Sequence, residues 1–325
     1  MRVVVWIPLE PYKNAVVPVV EQVPGAEIVV IDDPARLPEV LPGAAGLITS
    51  GASRYTADVA AAIRDHGTNL RWIQTVAAGN EGFVANGVPS SITVTSSGGH
   101  SAPVVAEHAM ALLLALTHCV PDFVRNTAAG SWNREFAPRF RSMFRKTAVV
   151  LGLGNVGIQI ANRARAFDMR VLGVTRSGAP HEAVDEIFPV TALGEALSQA
   201  DAILIALPMK PDTRHVLDAD AFKRMKAGTY IVNVARGGII DQVALRSALE
   251  SGQVAGAALD VTDPEPLPTG DPLWNAPNLI ISPHTAGGGS SESPARLASA
   301  VRENLRRLIA GEQLLNILPF GAHAT

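Results

Sequence analysis

The 325 residues exceed what one hydrophobic core usually serves, so the chain is expected to form two domains. With 47% hydrophobic and 18% charged residues and a formal charge of -3, the composition argues against disorder and against a highly charged binding tail, and no concentrated Lys/Arg tract points to nucleic acid or an anionic membrane as a partner. The single cysteine, Cys119, excludes an intrachain disulfide and fits a buried structural thiol in a reducing compartment; a cytoplasmic location is expected because the amino-terminal apolar run is short and has no cleavage-site pattern behind it.

In chain order, Val/Ile-rich runs at Val3–Ile7, Glu27–Ile31, Gly46–Thr49, Trp72–Val76 and Ile92–Thr95 predict strands, alternating with helix-compatible segments such as Thr56–Arg64. That rhythm implies a parallel sheet covered by helices. A long apolar helix is predicted to begin near Ser101 and Pro103 and to close at Pro121, too short for an uninterrupted membrane span. From Asp122 to Lys146 the chain reads as irregular. A second alternation then predicts strands at Thr147–Leu151, Val171–Val174, Ala202–Leu207, Tyr230–Val234, Ala255–Leu259 and Leu279–Ser282. A final helix from about Glu292 to Ile309 places Leu297, Val301, Leu305 and Leu308 on roughly one face, and periodicity leaves open which domain it joins. No repeat of solenoid period and no low-complexity tract is present.

The segment Ala148-Val-Val-Leu-Gly-Leu-Gly-Asn-Val-Gly157 sets Gly152, Gly154 and Gly157 between a predicted strand and a helix-compatible run. In a dinucleotide-binding turn the first glycine permits the bend, the second lets a pyrophosphate approach the backbone, and the third lets helix and strand pack closely. The helix amino end then presents unpaired N–H groups to the phosphates. About twenty residues further on, where a site specific for NAD places an acid on the ribose, the chain reads Thr175, Arg176, Ser177. Arg176 can pair with a 2′-phosphate and Ser177 can donate to it, which favours NADP as coenzyme, with NAD possible. The alternatives for Arg176 are stacking on adenine and facing solvent.

Three patches carry further chemistry, each at or just after the carboxyl end of a predicted strand, where doubly wound sheets bind ligands. They are Ile231-Val-Asn-Val-Ala-Arg-Gly-Gly-Ile-Ile-Asp241, Leu259-Asp-Val-Thr-Asp-Pro-Glu-Pro266 and Ile281-Ser-Pro-His-Thr-Ala-Gly-Gly288. A guanidinium such as Arg236 can grip a carboxylate at two points and polarise the carbonyl beside it. Hydride arrival at that carbonyl builds charge on oxygen, so His284 can supply a proton in reduction and take one in oxidation. Glu265 can hold the imidazole and favour its protonated form.

Through the glycine turn, the N-x-ARG-x-x-x-D run, the D-V-x-x-x-EP run and the SPH-T-A-G run, the chain closely resembles the D-isomer-specific 2-hydroxyacid dehydrogenases, including the glyoxylate and hydroxypyruvate reductases. The resemblance covers nearly the whole chain. It implies an NAD(P)-dependent enzyme interconverting a small 2-keto acid and a D-2-hydroxy acid, with Arg236, Glu265 and His284 as the catalytic positions and Asp260 near the nicotinamide amide. It extends the coenzyme set beyond the three glycines and Thr175–Ser177 to Asn155, Val156, Leu207, Pro208, Thr213, Val234, Ala235, His284, Ala286 and Gly287, with no metal. Ala77, Ala78 and Gly79, in the run Thr75-Val-Ala-Ala-Gly-Asn-Glu-Gly82, resemble the family's carboxylate-binding loop and join Arg236 and His284 as substrate-binding residues, although many members carry an aspartate near Glu81 and a different glycine pattern.

The fold so implied is α/β, with two doubly wound parallel-sheet domains: a Rossmann coenzyme domain at 100–288, and a flavodoxin-like substrate domain made of 1–99 with 289–325. Trp132, in Gly130-Ser-Trp-Asn-Arg134, resembles the segment that family dimers use at the subunit interface, so a homodimer is expected; a buried intrachain anchor is the other reading. His100, His108 and His118 are read as structural. Rival functions are a formate- or phosphite-type dehydrogenase and a nucleotide-sensing corepressor-like scaffold on the same fold.

Overall fold

In the computed structural model, which describes residues 1–323, the chain falls into two units: Met1–His100 with the residues from Ser290 onward, and Ser101–Gly289. Ala324 and Thr325, included in the expected substrate domain, lie outside the described residues. The first unit begins with β1 (Arg2–Val5), α1 (Glu10–Glu21), β2 (Glu27–Val30), α2 (Leu37–Val40), β3 (Gly46–Thr49), α3 (Ala57–His66), β4 (Trp72–Thr75), α4 (Glu81–Asn86) and β5 (Thr93–Thr95). Val3, Val4 and Val5 are fully buried because helices cover both faces of the sheet, which is why these strands read as continuous apolar runs. Helix α3 starts where Thr56 accepts a hydrogen bond from the Val59 amide.

The second unit runs through α5 (Ala102–Thr117), α6 (Val120–Ala128), β6 (Thr147–Leu151), α7 (Asn155–Ala166), β7 (Arg170–Thr175), β8 (Glu186–Pro189), α8 (Leu193–Leu197), β9 (Ala202–Ile205), α9 (Ala219–Arg224), β10 (Thr229–Asn233), α10 (Gln242–Glu250), β11 (Val254–Leu259) and β12 (Leu279–Ile281). Its seven strands are all parallel, in the order β12-β11-β10-β9-β6-β7-β8. Strand order reverses between β6 and β9, so the carboxyl ends of those strands flank the crevice where such sheets take ligands.

The chain then returns to the first unit with α11 (Glu292–Ala310) and β13 (Ile317–Gly321). Leu297, Ala298, Val301 and Leu305 of α11 are buried with Val16 and Val20 of α1. The Asn304 amide donates to Gln74 Oε1 at 3.0 Å, while Trp72 Nε1 donates to Thr95 Oγ1 at 2.8 Å and that hydroxyl donates to Gln74, so one buried polar chain ties helix to sheet. The sheet order is β13-β5-β4-β3-β1-β2, with β13 antiparallel to β5.

The structure corrects the sequence reading in several places. The apolar helix ends at Thr117 rather than Pro121; Cys119 takes a left-handed conformation (φ 54°), and Pro121 sits in the first turn of α6, bent 67° from α5. Proline suits a helix start because the amide it lacks has no partner there. Part of the segment read as irregular is therefore helical. Strands β8 and β13 carry weak signals: β8 is an edge strand opening on Glu186, and β13 contains Pro319, which a central strand does not tolerate. Among the described residues no single helix is long and apolar enough to cross a membrane.

Candidate active site

The β6–α7 turn assigns a distinct role to each of its glycines. Gly152 has φ 91°, and a side chain there would meet the Ala206 carbonyl at 2.9 Å. A Cβ on Gly157 would lie 1.8 Å from the Gly152 carbonyl oxygen, so strand and helix approach closely only without it. Gly154 differs: its φ of -80° suits any residue and a Cβ there would meet no atom within 4 Å. The protein's own packing has no use for that glycine, and the space it leaves fits a phosphate group against an α7 amino end that has no side-chain cap. Replacing Gly157 by alanine should lower stability by at least about 2 kcal/mol in thermal or denaturant unfolding. Gly154→Ala should leave the unfolding transition in place yet raise the dissociation constant for the dinucleotide about tenfold, about 1.4 kcal/mol, in a fluorescence titration.

Beside this turn the Gly152 amide donates to the Val174 carbonyl at 2.9 Å, so β7 ends at Thr175, and Arg176 and Ser177 leave the sheet, next to the glycines. The Thr175 hydroxyl accepts from the Gly178 amide at 3.0 Å, whereas Arg176 is exposed and has no ion-pair partner among the described residues. Leu207, Pro208 and Thr213 follow β9 across the crevice, where the Thr213 hydroxyl donates to the Pro208 carbonyl at 2.8 Å and closes that loop.

Arg236 leaves β10 on a turn shaped by Asn233, which is fully buried; its side chain accepts from the Ala235 amide at 3.0 Å and donates to the Arg236 carbonyl at 2.9 Å. Val234 and Ala235 lie inside that turn, and the Arg236 guanidinium donates to the Ala235 carbonyl at 2.7 Å. Asp241, the last residue of the same motif, caps α10 by accepting from the Val243 and Ala244 amides at 3.0 Å. Sequence reasoning gave neither Asn233 nor Asp241 a role; Asn233 shapes the turn on which Arg236 is carried, and Asp241 caps the helix that follows it.

Glu265 and His284 meet directly. Glu265 Oε2 lies 2.8 Å from His284 Nδ1, while Oε1 accepts from the Thr262 amide at 3.2 Å. A carboxylate at Nδ1 places the ring proton there and leaves Nε2 as the exchanging nitrogen. His284 has φ 52°, a strained conformation for a residue with a side chain, held because its amide donates to the Asp260 and Ser282 carbonyls at 2.8 and 3.0 Å. Asp260, 1% exposed, takes up the rest of the loop: its carboxylate accepts from the Ser282 hydroxyl at 2.6 Å and from the Thr285 and Ala286 amides at 2.9 Å each. Gly287 follows in the same loop. His108, read from the sequence as structural, reaches this cluster from α5, with Nε2 3.1 Å from Ser282 Oγ and 3.4 Å from Asp260 Oδ1. A histidine in an apolar helix gives no sequence sign of that contact.

On the first unit, Ala77, Ala78 and Gly79 follow β4. The Ala77 amide is already committed to Thr75 Oγ1 at 3.2 Å, and the Ala78 and Gly79 amides have no hydrogen-bond acceptor among the described residues. Nearby, Thr49 Oγ1 at the end of β3 and Asn80 Oδ1 are buried without partners among the described residues, a polar demand that composition did not reveal. His100 is buried against Ser97 Oγ at 2.6 Å and edge-on to Tyr12; burial, helped by the Arg296 guanidinium, pushes it down to about 4, so its ring is neutral near pH 7. His118 packs edge-on to Phe140.

Residues 110–286 match the model of the family described as D-isomer specific 2-hydroxyacid dehydrogenase, NAD binding domain. The chain is 32% identical over 267 residues to the glyoxylate reductase of Korarchaeum cryptofilum, covering 80% of this chain and 79% of that protein. It is 30% identical over 319 residues to the D-3-phosphoglycerate dehydrogenase of Methanocaldococcus jannaschii, covering 95% of this chain but 58% of that relative. Among solved structures, a D-isomer specific 2-hydroxyacid dehydrogenase from Xanthobacter autotrophicus Py2 in complex with NADPH and MES superposes with a TM-score of 0.79 at 26% identity, covering 97% of each chain.

Proposed function

Because the chain belongs to the D-isomer-specific 2-hydroxyacid dehydrogenase family, whose members are NAD(P)-dependent oxidoreductases, we propose that it reduces a small 2-keto acid of the glyoxylate or hydroxypyruvate type to the D-2-hydroxy acid with NADPH, and catalyses the reverse reaction. The observation that carries this reading is the 2.8 Å contact between Glu265 and His284 Nδ1 on the loops after β11 and β12, with Arg236 on the turn after the adjoining strand β10. The bound coenzyme supplies the hydride. Arg236 grips the substrate carboxylate and polarises its carbonyl. His284 gives the proton held at Nε2 to the carbonyl oxygen in reduction and recovers it in oxidation, while Glu265 stabilises the charged ring. The open space at Gly154, the α7 amino end and the Asp260-braced loop at Ala286 are the residues' contribution to holding the coenzyme. On the first unit, the Ala78 and Gly79 amides have the chemistry to bind a carboxylate. Glyoxylate, hydroxypyruvate, pyruvate, a branched keto acid and phenylpyruvate, each supplied with NADPH, test the assignment: turnover falling with side-chain size supports it, and turnover highest with phenylpyruvate contradicts the small substrate.

Arg176, exposed beside the glycine turn and without an ion-pair partner among the described residues, together with the absence of an acid at Thr175–Ser177, supports the NADPH preference. A charge-assisted contact to the 2′-phosphate is worth about a ten- to hundredfold preference in kcat/KM, which salt should erode because Arg176 is exposed. Arg176→Ala should remove most of it by weakening NADPH use much more than NADH use; equal wild-type values for the two coenzymes would overturn it. The proposal includes a homodimer formed through the second unit. Between Val120 and Phe144 that unit exposes the large apolar side chains of Phe123, Val124, Trp132, Phe140 and Phe144, with Trp132 90% exposed, surface suited to a partner copy. Sedimentation at micromolar concentration should give the dimer mass, and a monomer alone would reject it.

A further inference from the structure

The turn carrying Arg236 and the loop carrying Glu265 are joined by groups that touch neither substrate nor coenzyme in the reading above. Gly237 packs backbone to backbone against that loop: a Cβ on it would lie 2.0 Å from the Thr262 carbonyl carbon and 2.6 Å from the Asp263 nitrogen. Gln242, the first residue of α10, then pairs with Asp263 at both ends of its amide. Its Nε2 donates to the Asp263 carbonyl at 2.7 Å and its Oε1 accepts from the Asp263 amide at 3.0 Å. One side chain thus satisfies both backbone groups of one loop residue, as a neighbouring strand would. Within the loop the Thr262 hydroxyl donates to the Pro264 carbonyl at 2.8 Å and the Thr262 amide donates to Glu265 Oε1 at 3.2 Å. The Arg214–Asp263 ion pair, at 3.0 Å, adds little because both partners are about half exposed.

We propose that Gln242 is a positioning residue for the proton-transfer pair: by holding Asp263 it sets the Thr262–Glu265 loop, and so keeps the Glu265 carboxylate where it binds the His284 proton on Nδ1. The inference rests on the functional reading above. Its physical content is a choice of tautomer. A neutral imidazole in water prefers its proton on Nε2, the wrong arrangement for accepting a proton there, and only the carboxylate at Nδ1 reverses that preference. A loop freed by about 1 Å loses the reversal before it loses the fold.

The test uses the whole coenzyme-free chain, labelled with 15N, at alkaline pH, with the His284→Ala spectrum identifying the His284 signals. Wild type should show Nδ1 protonated. Gln242→Ala should move the proton toward Nε2, and Gln242→Glu, which can still accept from the Asp263 amide but cannot donate to its carbonyl, should fall between. In turnover, Gln242→Ala should lower kcat about 10- to 100-fold while changing KM for NADPH less than about threefold. In a Glu265→Gln background the same change should lower kcat by less than about twofold, since nothing is left to position. An unchanged tautomer in a folded Gln242→Ala or Gln242→Glu protein overturns the inference, as does an equal loss of kcat in both backgrounds, which would mark a general effect on stability. A wild-type protein that consumes no NADPH with any keto acid would remove the functional reading, while the tautomer comparison would still decide whether Gln242 orients the ring.

Discussion

Replacing His284 by alanine should lower kcat for keto-acid reduction by about 10²–10⁴-fold, the range by which a positioned acid–base group accelerates proton transfer. NADPH binding should change little, because the glycine turn and Arg176 follow β6 and β7, at the other end of the sheet from β12, and Ala286 is held by Asp260 rather than by the imidazole. The loop itself should persist, since Asp260 holds Ser282, Thr285 and Ala286 independently of the imidazole. The left-handed backbone at His284 complicates an alanine replacement, so His284→Asn is the companion variant, asparagine being among the residues that tolerate this conformation. Both should be folded, bind NADPH in a fluorescence titration and fail in turnover. Near-normal turnover in either would assign the proton transfer elsewhere.

Arg236→Lys should lower kcat/KM for the keto acid by about 10- to 100-fold, although the charge is kept. The guanidinium presents a planar pair of donors to a carboxylate, and an ammonium offers a single point that does not fix which face of the carbonyl is exposed. The backbone around position 236 should be unaffected, because Asn233 shapes the turn through backbone groups. The loss should appear in substrate kinetics and be absent from NADPH titration and from the unfolding transition. An unchanged kcat/KM would remove the carboxylate clamp from the account.

Legibility in the sequence followed how local the physics was. The glycine turn and the patches at 231–241 and 259–266 stood out because the strands before them are buried apolar runs, whereas the patch at 281–288 follows the short, partly buried apolar edge strand β12; each patch is a short stretch at one strand end. Edge strands β8 and β13 were hidden because a partly exposed strand needs neither an apolar run nor a proline-free one. Pro121 looked like the end of a helix; it begins the next one, because Cys119 breaks the chain direction in a left-handed conformation that no residue type announces. Within the site, Arg236, Glu265 and His284 were readable as residue types. Their supports were not: the His108 contact with Ser282, spanning 174 positions, and the pairing of Gln242 with the Asp263 backbone are tertiary facts with no periodic or compositional trace.

The central claim is hydride transfer coupled to proton transfer by His284, and stereochemically resolved turnover tests it most directly. Purified protein incubated with NADPH and glyoxylate or hydroxypyruvate should oxidise the coenzyme in step with hydroxy acid formed, and hydroxypyruvate should give the D-enantiomer alone on chiral chromatography. Coenzyme-dependent fluorescence changes without NADPH consumption across the keto-acid panel, or formation of the L-enantiomer, would contradict the account.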